Sequence, residues 1–219
     1  MKGIYSFLDD VAANNSREWL AANRERYDAL RAQWIDDLDR LIALMCEYEP
    51  GMNTQTGRSS TYRFYRDTRF SPDKSPLKTF FSAALSPYGR KAVRAGYYLQ
   101  VDSRRDQNGL YVGLYCPDAP LLRKMRQAIV DNIEEFTEII NEPRLASLYP
   151  GWIGDALKTV PKGWPKDHPD AELLRLKDYG KFHQTDRRYF ESERWYERAA
   201  EDFSAAKPLI DFLNYTIDE

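Results

Sequence analysis

The chain has 219 residues, 42% hydrophobic, 14% aromatic and 30% charged, enough for one buried core and too apolar for extended disorder. No apolar run approaches the roughly 20 residues of a membrane span, and Met1–Asp10 shows neither an apolar signal core nor a cleavage site. The net charge of −2 conceals an asymmetry: residues 1–57 carry 6 Lys/Arg against 10 Asp/Glu, residues 58–105 carry 11 against 3, and residues 106–219 carry 15 against 21.

In chain order, Ile4, Phe7, Leu8 and Val11 predict a short helix over 4–13, broken by Asn14-Asn15. Asn15 with Glu18 three places on has the form of a capping box, so a second helix is expected from Ser16. Its stripe of Leu20, Tyr27, Leu30, Trp34, Leu38, Leu41 and Met45 predicts one continuous helix to Tyr48, ended by Pro50-Gly51. The stripe reads as a core face, with no ligand role for Trp19 or Trp34. A polar loop follows, then an expected strand over Thr61–Arg66, an ordered loop over Asp67–Lys78 and a second strand over Thr79–Leu85. Tyr97–Asp102 and Leu110–Cys116, with Asn108-Gly109 between them, read as an antiparallel hairpin.

Asp118 before Pro120 is a helix-start signal, and Leu122, Met125, Ile129, Ile133, Phe136 and Ile140 predict one helix closed by Asn141-Glu142-Pro143. A short helix is expected over Arg144–Tyr149, then a rigid loop over 158–169 with three prolines and a glycine in twelve positions. Helical turns over Ala171–Asp178, a strand over Lys181–Thr185 and a last helix over Arg194–Leu213 complete the chain. No repeat or composition shift marks a boundary. Residues 1–219 read as a single α+β domain, a mostly antiparallel sheet flanked by long helices.

Several motifs together resemble the domain of unknown function 2461 family. They are Asn14-Asn15-Ser16-Arg17-Glu18-Trp19 with Asn23 and Tyr27, the run Arg66-Asp67-Thr68-Arg69-Phe70-Ser71-Pro72-Asp73-Lys74-Ser75-Pro76, Lys158–Gly163, and Asp167-His168-Pro169. The likeness covers roughly residues 4–180, with Leu77 where the family often has an aromatic residue. It implies a single α+β domain and no particular activity.

The basic segment carries the functional expectation. Residues 63–79 place Arg63, Arg66, Arg69, Lys74 and Lys78 among aromatics, with Pro72 and Pro76 to stiffen them. Localised cations of this kind steer anions, and guanidinium forks suit phosphate oxygens. The expected site for a small anionic, phosphorylated ligand comprises Arg66, Arg69, Lys74 and Lys78 of one loop with Lys158 and Lys162 of the 158–169 loop. His168 or Asp73 is the candidate proton carrier if there is chemistry.

Two alternatives compete with this reading. Tyr97, Tyr98 and Gln100, with Arg90, Lys91, Arg94, Arg104 and Arg105, offer a platform and backbone contacts for single-stranded nucleic acid. Alternatively, the 66–78 run is a structural clasp, in which Arg69 is drawn into the core and paired while Lys74 stands at a turn tip. Cys46 and Cys116 have no metal-type spacing and no His/Asp/Glu cluster has ligand spacing, so a reduced protein of the cytoplasm with no metal is expected. No Walker loop, dinucleotide fingerprint or Gly-x-Ser-x-Gly elbow is present, and neither cofactor nor reaction is legible.

Overall fold

Four strands form one antiparallel sheet in the order β1 (Phe80–Leu85), β2 (Gly96–Asp102), β3 (Gly109–Leu114) and β4 (Tyr179–Gln184). A computed structural model describes all residues, 1–219. Eleven helices accompany the sheet, and the fold is α+β. No helix is long and apolar enough to cross a membrane. The chain divides into two compact units: the first comprises Met1–Arg90, Tyr98–Leu110 and Gln184–Glu201, the second Lys91–Tyr97, Tyr111–His183 and Asp202–Glu219.

The first unit holds α1 (Ile4–Ala13), α2 (Arg17–Ala22), α3 (Arg24–Met45), α4 (Gly57–Ser60), α9 (Arg187–Glu191) and nearly all of α10 (Trp195–Ser204). Its core is aromatic. Tyr27, Phe64 and Phe81 pack with centroids 5.1 to 6.2 Å apart, and Trp34 stacks on Trp195 at 5.8 Å. Both indole N–H groups are satisfied, by Thr61 Oγ1 and Asp37 Oδ2, each at 2.8 Å. Full burial of each large apolar side chain contributes about 2–3 kcal/mol, so this cluster is the main anchor of the unit. Gly57 lets α4 approach α3, since a Cβ there would lie 2.3 Å from the Ile35 carbonyl oxygen.

The expected helix from Ser16 to Tyr48 is two helices. Ser16 is the N-cap, accepting from the Trp19 N–H at 3.1 Å. Asn23 then breaks the run: its backbone and side-chain amides both donate to the Trp19 carbonyl, and α3 starts beyond it. The expected Thr61–Arg66 strand is also revised. Thr61 bridges Ala83 while Tyr65 bridges Leu77, so the segment changes partner within four residues and builds no ladder.

The second unit holds α5 (Ala119–Asp131), α6 (Ile133–Ile140), α7 (Pro143–Leu148), α8 (Ala171–Arg175) and α11 (Lys207–Asp218). Asp118 caps α5 through the Leu121 N–H at 2.9 Å. Asn132 repeats the device of Asn23, bonding the Ala128 carbonyl with backbone and side chain, so the expected 118–140 helix is α5 and α6. The expected helix over 194–213 is likewise split into α10 and α11, and Pro208, with no N–H to donate, stands in the first turn of α11. Phe136, Trp152, Tyr179 and Phe212 form the ring cluster here. Gly113, at φ 125°, lets β3 meet β4, because a Cβ would fall 2.1 Å from the Tyr179 carbonyl oxygen.

Candidate functional site

The basic loop of the first unit is closed at its root by backbone bonds. The Arg66 N–H donates to the Pro76 carbonyl and the Lys78 N–H to the Phe64 carbonyl, each at 2.9 Å. Leu77, fully buried, is the anchor between them. Asn15 clamps it from outside: its side-chain oxygen accepts from the Leu77 N–H and its amide donates to the Leu77 carbonyl, both at 3.0 Å. The capping box expected at Asn15 is not formed, since Ser16 is the N-cap of α2. The place of Asn15 in the paired Asn-Asn motif was the one available signal for this other role.

At the loop tip the cations are consumed internally. Arg66 pairs with Asp73 and reaches Ser71 Oγ at 3.4 Å. Arg69 forks onto Asp67, with Nε 3.0 Å from Oδ1 and Nη2 2.8 Å from Oδ2. Its side chain is 76% exposed, which overturns the expectation that Arg69 is drawn into the core. Lys74, exposed as expected at a tip, donates to the Thr68 carbonyl at 3.0 Å. Asp73 accepts from the Ser75 N–H at 2.9 Å; the bonds from Ser75 and then Arg66 lower its pKa to about 2. The Asp67 carboxylate is likewise lowered to about 2, chiefly by Arg69. So strongly ionised a carboxylate is a weak base, and Asp73 is poorly suited to carry a proton near neutrality. Phe70 is 93% exposed.

The root differs. Lys78 is half-buried, with its ammonium 5.3 Å from the Tyr62 ring centroid and 5.2 Å from that of Phe80. It makes no hydrogen bond or ion pair, yet its nitrogen remains open to solvent. The Arg90 guanidinium lies 5.6 Å from the same Tyr62 centroid while donating to the Thr61 carbonyl. Arg63 is 68% exposed and only loosely paired, 3.7 Å from an Asp67 oxygen that Arg69 already holds. Burial first, then the charges of Arg63 and Arg90, push the Lys78 pKa down; no carboxylate pulls it back. Tyr62 and the half-buried Tyr98 stand 6.3 Å apart beside this group.

The 158–169 loop belongs to the second unit and has no regular structure, as its prolines predict. Lys158 and Lys162 are exposed. His168 is a turn residue: its Nδ1 accepts from the Asp170 N–H at 3.1 Å, and its carbonyl accepts from the Ala171 N–H at 3.0 Å. That leaves Nε2 as the protonated nitrogen of the neutral ring.

Of the residues expected on the hairpin platform, one faces inward. Tyr97 is buried at 2% exposure, on the same strand face as Leu99 and Val101. Arg104 is held by the fully buried Asp102, with Nη2 2.7 Å from its oxygen, and Arg94 pairs with Asp218. Tyr98 and Gln100, both half-buried, lie on the other strand face and bond each other at 2.6 Å, and Lys91 and Arg105 are exposed. Of the arginines assigned to a nucleic acid, Arg90 belongs instead to the Lys78 group.

An α+β protein with a clamped basic loop, its tip self-paired and its root cationic, is the class these features define. The chain belongs to the family described as a conserved hypothetical protein, domain of unknown function 2461, whose model matches residues 3–212. No curated protein and no solved structure matches it.

Proposed function

We propose that the protein binds a small anionic, phosphorylated ligand, and that the first unit holds it at the loop root through Lys78, Arg63 and Arg90. One observation carries the reading: a half-buried ammonium with no acceptor of its own lies over two aromatic rings, one of which, Tyr62, it shares with the Arg90 guanidinium. Like charges gathered with only the loose Arg63–Asp67 pair to offset them oppose one another, and an arriving anion relieves that cost. The tip arginines do not contact the ligand, because Asp67 and Asp73 already occupy their forks, and of the two only Arg66, paired with Asp73, spans the loop. Lys158 and Lys162 are a separate candidate contact on the second unit, where both are exposed.

The test is thermal unfolding in increasing phosphate and pyrophosphate, with wild type and Lys78→Met side by side. A ligand at 100 times its dissociation constant stabilises by about 2.7 kcal/mol, readily seen as a shifted midpoint. The reading expects that shift in wild type and its loss in Lys78→Met. An equal shift in both proteins would place the anion elsewhere.

A further inference from the structure

Lys78 can do more than hold an anion. Resting on the anion site just proposed, we infer that Lys78 is an amine nucleophile that forms an imine with a small carbonyl compound bearing a phosphate or carboxylate. The geometry meets the three requirements of such a lysine. Its nitrogen has no hydrogen-bond acceptor or carboxylate, so no partner holds the ammonium proton in place. Its stem is half-buried, which favours the neutral amine, while the Tyr62 and Phe80 rings, with centroids 5.3 and 5.2 Å from the nitrogen, fix its position. The Arg90 guanidinium lies over the same Tyr62 ring, and the charges of Arg63 and Arg90 both act against the ammonium and suit the anionic end of the ligand.

Other lysines fail one requirement or another. Lys74 donates to the Thr68 carbonyl, and Lys181 in the second unit donates to two backbone carbonyls. Lys158 and Lys162 are exposed, with no burial to favour the free amine.

The step balances without an oxidant or reductant. The neutral Nζ lone pair attacks the carbonyl carbon, the C=O pair moves to oxygen, and a proton shifts from nitrogen to that oxygen to give a carbinolamine. The hydroxyl then leaves as water with one further proton, and the nitrogen lone pair forms C=N. In total, one ammonium and one carbonyl become one protonated imine and one water. Arg63 and Arg90 hold the phosphate or carboxylate while this occurs, which places the carbonyl at Nζ rather than at random lysines.

The experiment is borohydride trapping followed by peptide mapping, with glycolaldehyde phosphate and glyoxylate as anionic probes and glycolaldehyde as the neutral one. With limiting anionic probe near neutral pH, Lys78 is expected to be labelled on the order of tenfold faster than exposed lysines, as a larger free-amine fraction requires. Inorganic phosphate should protect it. Lys78→Arg should lose the label, while Arg63→Gln and Arg90→Gln should slow labelling by the anionic probes more than by glycolaldehyde. If phosphate shifts the wild-type midpoint but Lys78 labels no faster than other lysines, the imine is refuted and the anion site stands. If there is neither a phosphate shift nor preferential labelling, both readings fall. If Lys78 labels preferentially but phosphate and the arginine variants change nothing, the anionic carbonyl substrate is refuted.

Discussion

Lys78 and Lys181 are two partly desolvated lysines in opposite settings. Lys181 lies on β4 at 4% exposure and donates to the carbonyls of Tyr149, at 3.2 Å, and Gly151, at 3.0 Å. Tyr149 is the C-cap of α7, so the ammonium satisfies carbonyls that a helix end leaves without partners. The Trp152 ring covers it, 4.5 Å from the nitrogen. Lys78 is equally free of carboxylates but bonds no carbonyl, and its neighbours are cations. Burial lowers the pKa of both. What separates a structural lysine from an available one is therefore not the shift itself but where the protons go.

The sharpest way to break this contrast is to remove each lysine. Lys181→Ala leaves two carbonyls without their donor and a void beside Trp152, and should cost about 3 kcal/mol, read as a lower urea midpoint. Lys78→Met leaves no partner unsatisfied and relieves repulsion with Arg63 and Arg90. Its midpoint should equal or exceed that of wild type. A loss at Lys78 as large as that at Lys181 would make the loop root structural and remove the basis for a site there.

Next in size is a pH effect. Both lysines have folded pKa values below the ordinary 10.5, so between those values the unfolded chain binds more protons and stability rises with pH. The gain runs from each lowered value towards 10.5. Tyr5, Tyr48, Tyr111 and Tyr179 oppose it from about pH 10, where the unfolded tyrosines ionise while burial keeps the folded ones neutral. Unfolding should accordingly become harder on the alkaline side of neutrality and then easier above about pH 10. The double variant Lys78→Met/Lys181→Met should lose most of the rise and keep the fall.

Which parts of this were legible in the sequence follows from the range of the interactions. The apolar stripes gave the helices because 3- and 4-residue spacing is local. The breaks at Asn23 and Asn132 were hidden, since the stripe runs through both positions and only the asparagine side chain, bonding back four residues, ends the helix. The basic loop was visible as a charged, proline-bounded run. Its division into a neutralised tip and a cationic root was not: Arg66 meets Asp73 only because backbone bonds close the loop, and Asn15 clamps that closure at Leu77 from 62 residues away. Arg90 joined Lys78 only once Thr61 was placed to accept from it.

A smaller effect separates the two loops. Lys158→Met/Lys162→Met should leave the phosphate-induced shift within about twofold of wild type in midpoint concentration, since exposed lysines with no fixed geometry add little to binding. A loss matching that of Lys78→Met would instead make the 158–169 loop an essential contact.

The smallest effect is expected at Arg69, the residue that a clasp would draw into the core. The side chain stands in solvent, forked onto Asp67 two residues before it and 5.7 Å from the ring centroid of the exposed Phe70. An exposed pair gains little, because water already solvates both partners and salt screens them. Arg69→Ala should therefore melt within roughly 2 °C of wild type. It has a second consequence that a silent surface change would lack. Asp67, released from the fork, is left facing Arg63, the only other guanidinium within ion-pair range of it. A firmer Arg63–Asp67 pair takes one cation from the Lys78 group, so phosphate affinity should fall modestly in Arg69→Ala and return in Asp67→Asn/Arg69→Ala. If the single variant binds phosphate as wild type does, Arg63 is not a ligand contact and the site contracts to Lys78 and Arg90.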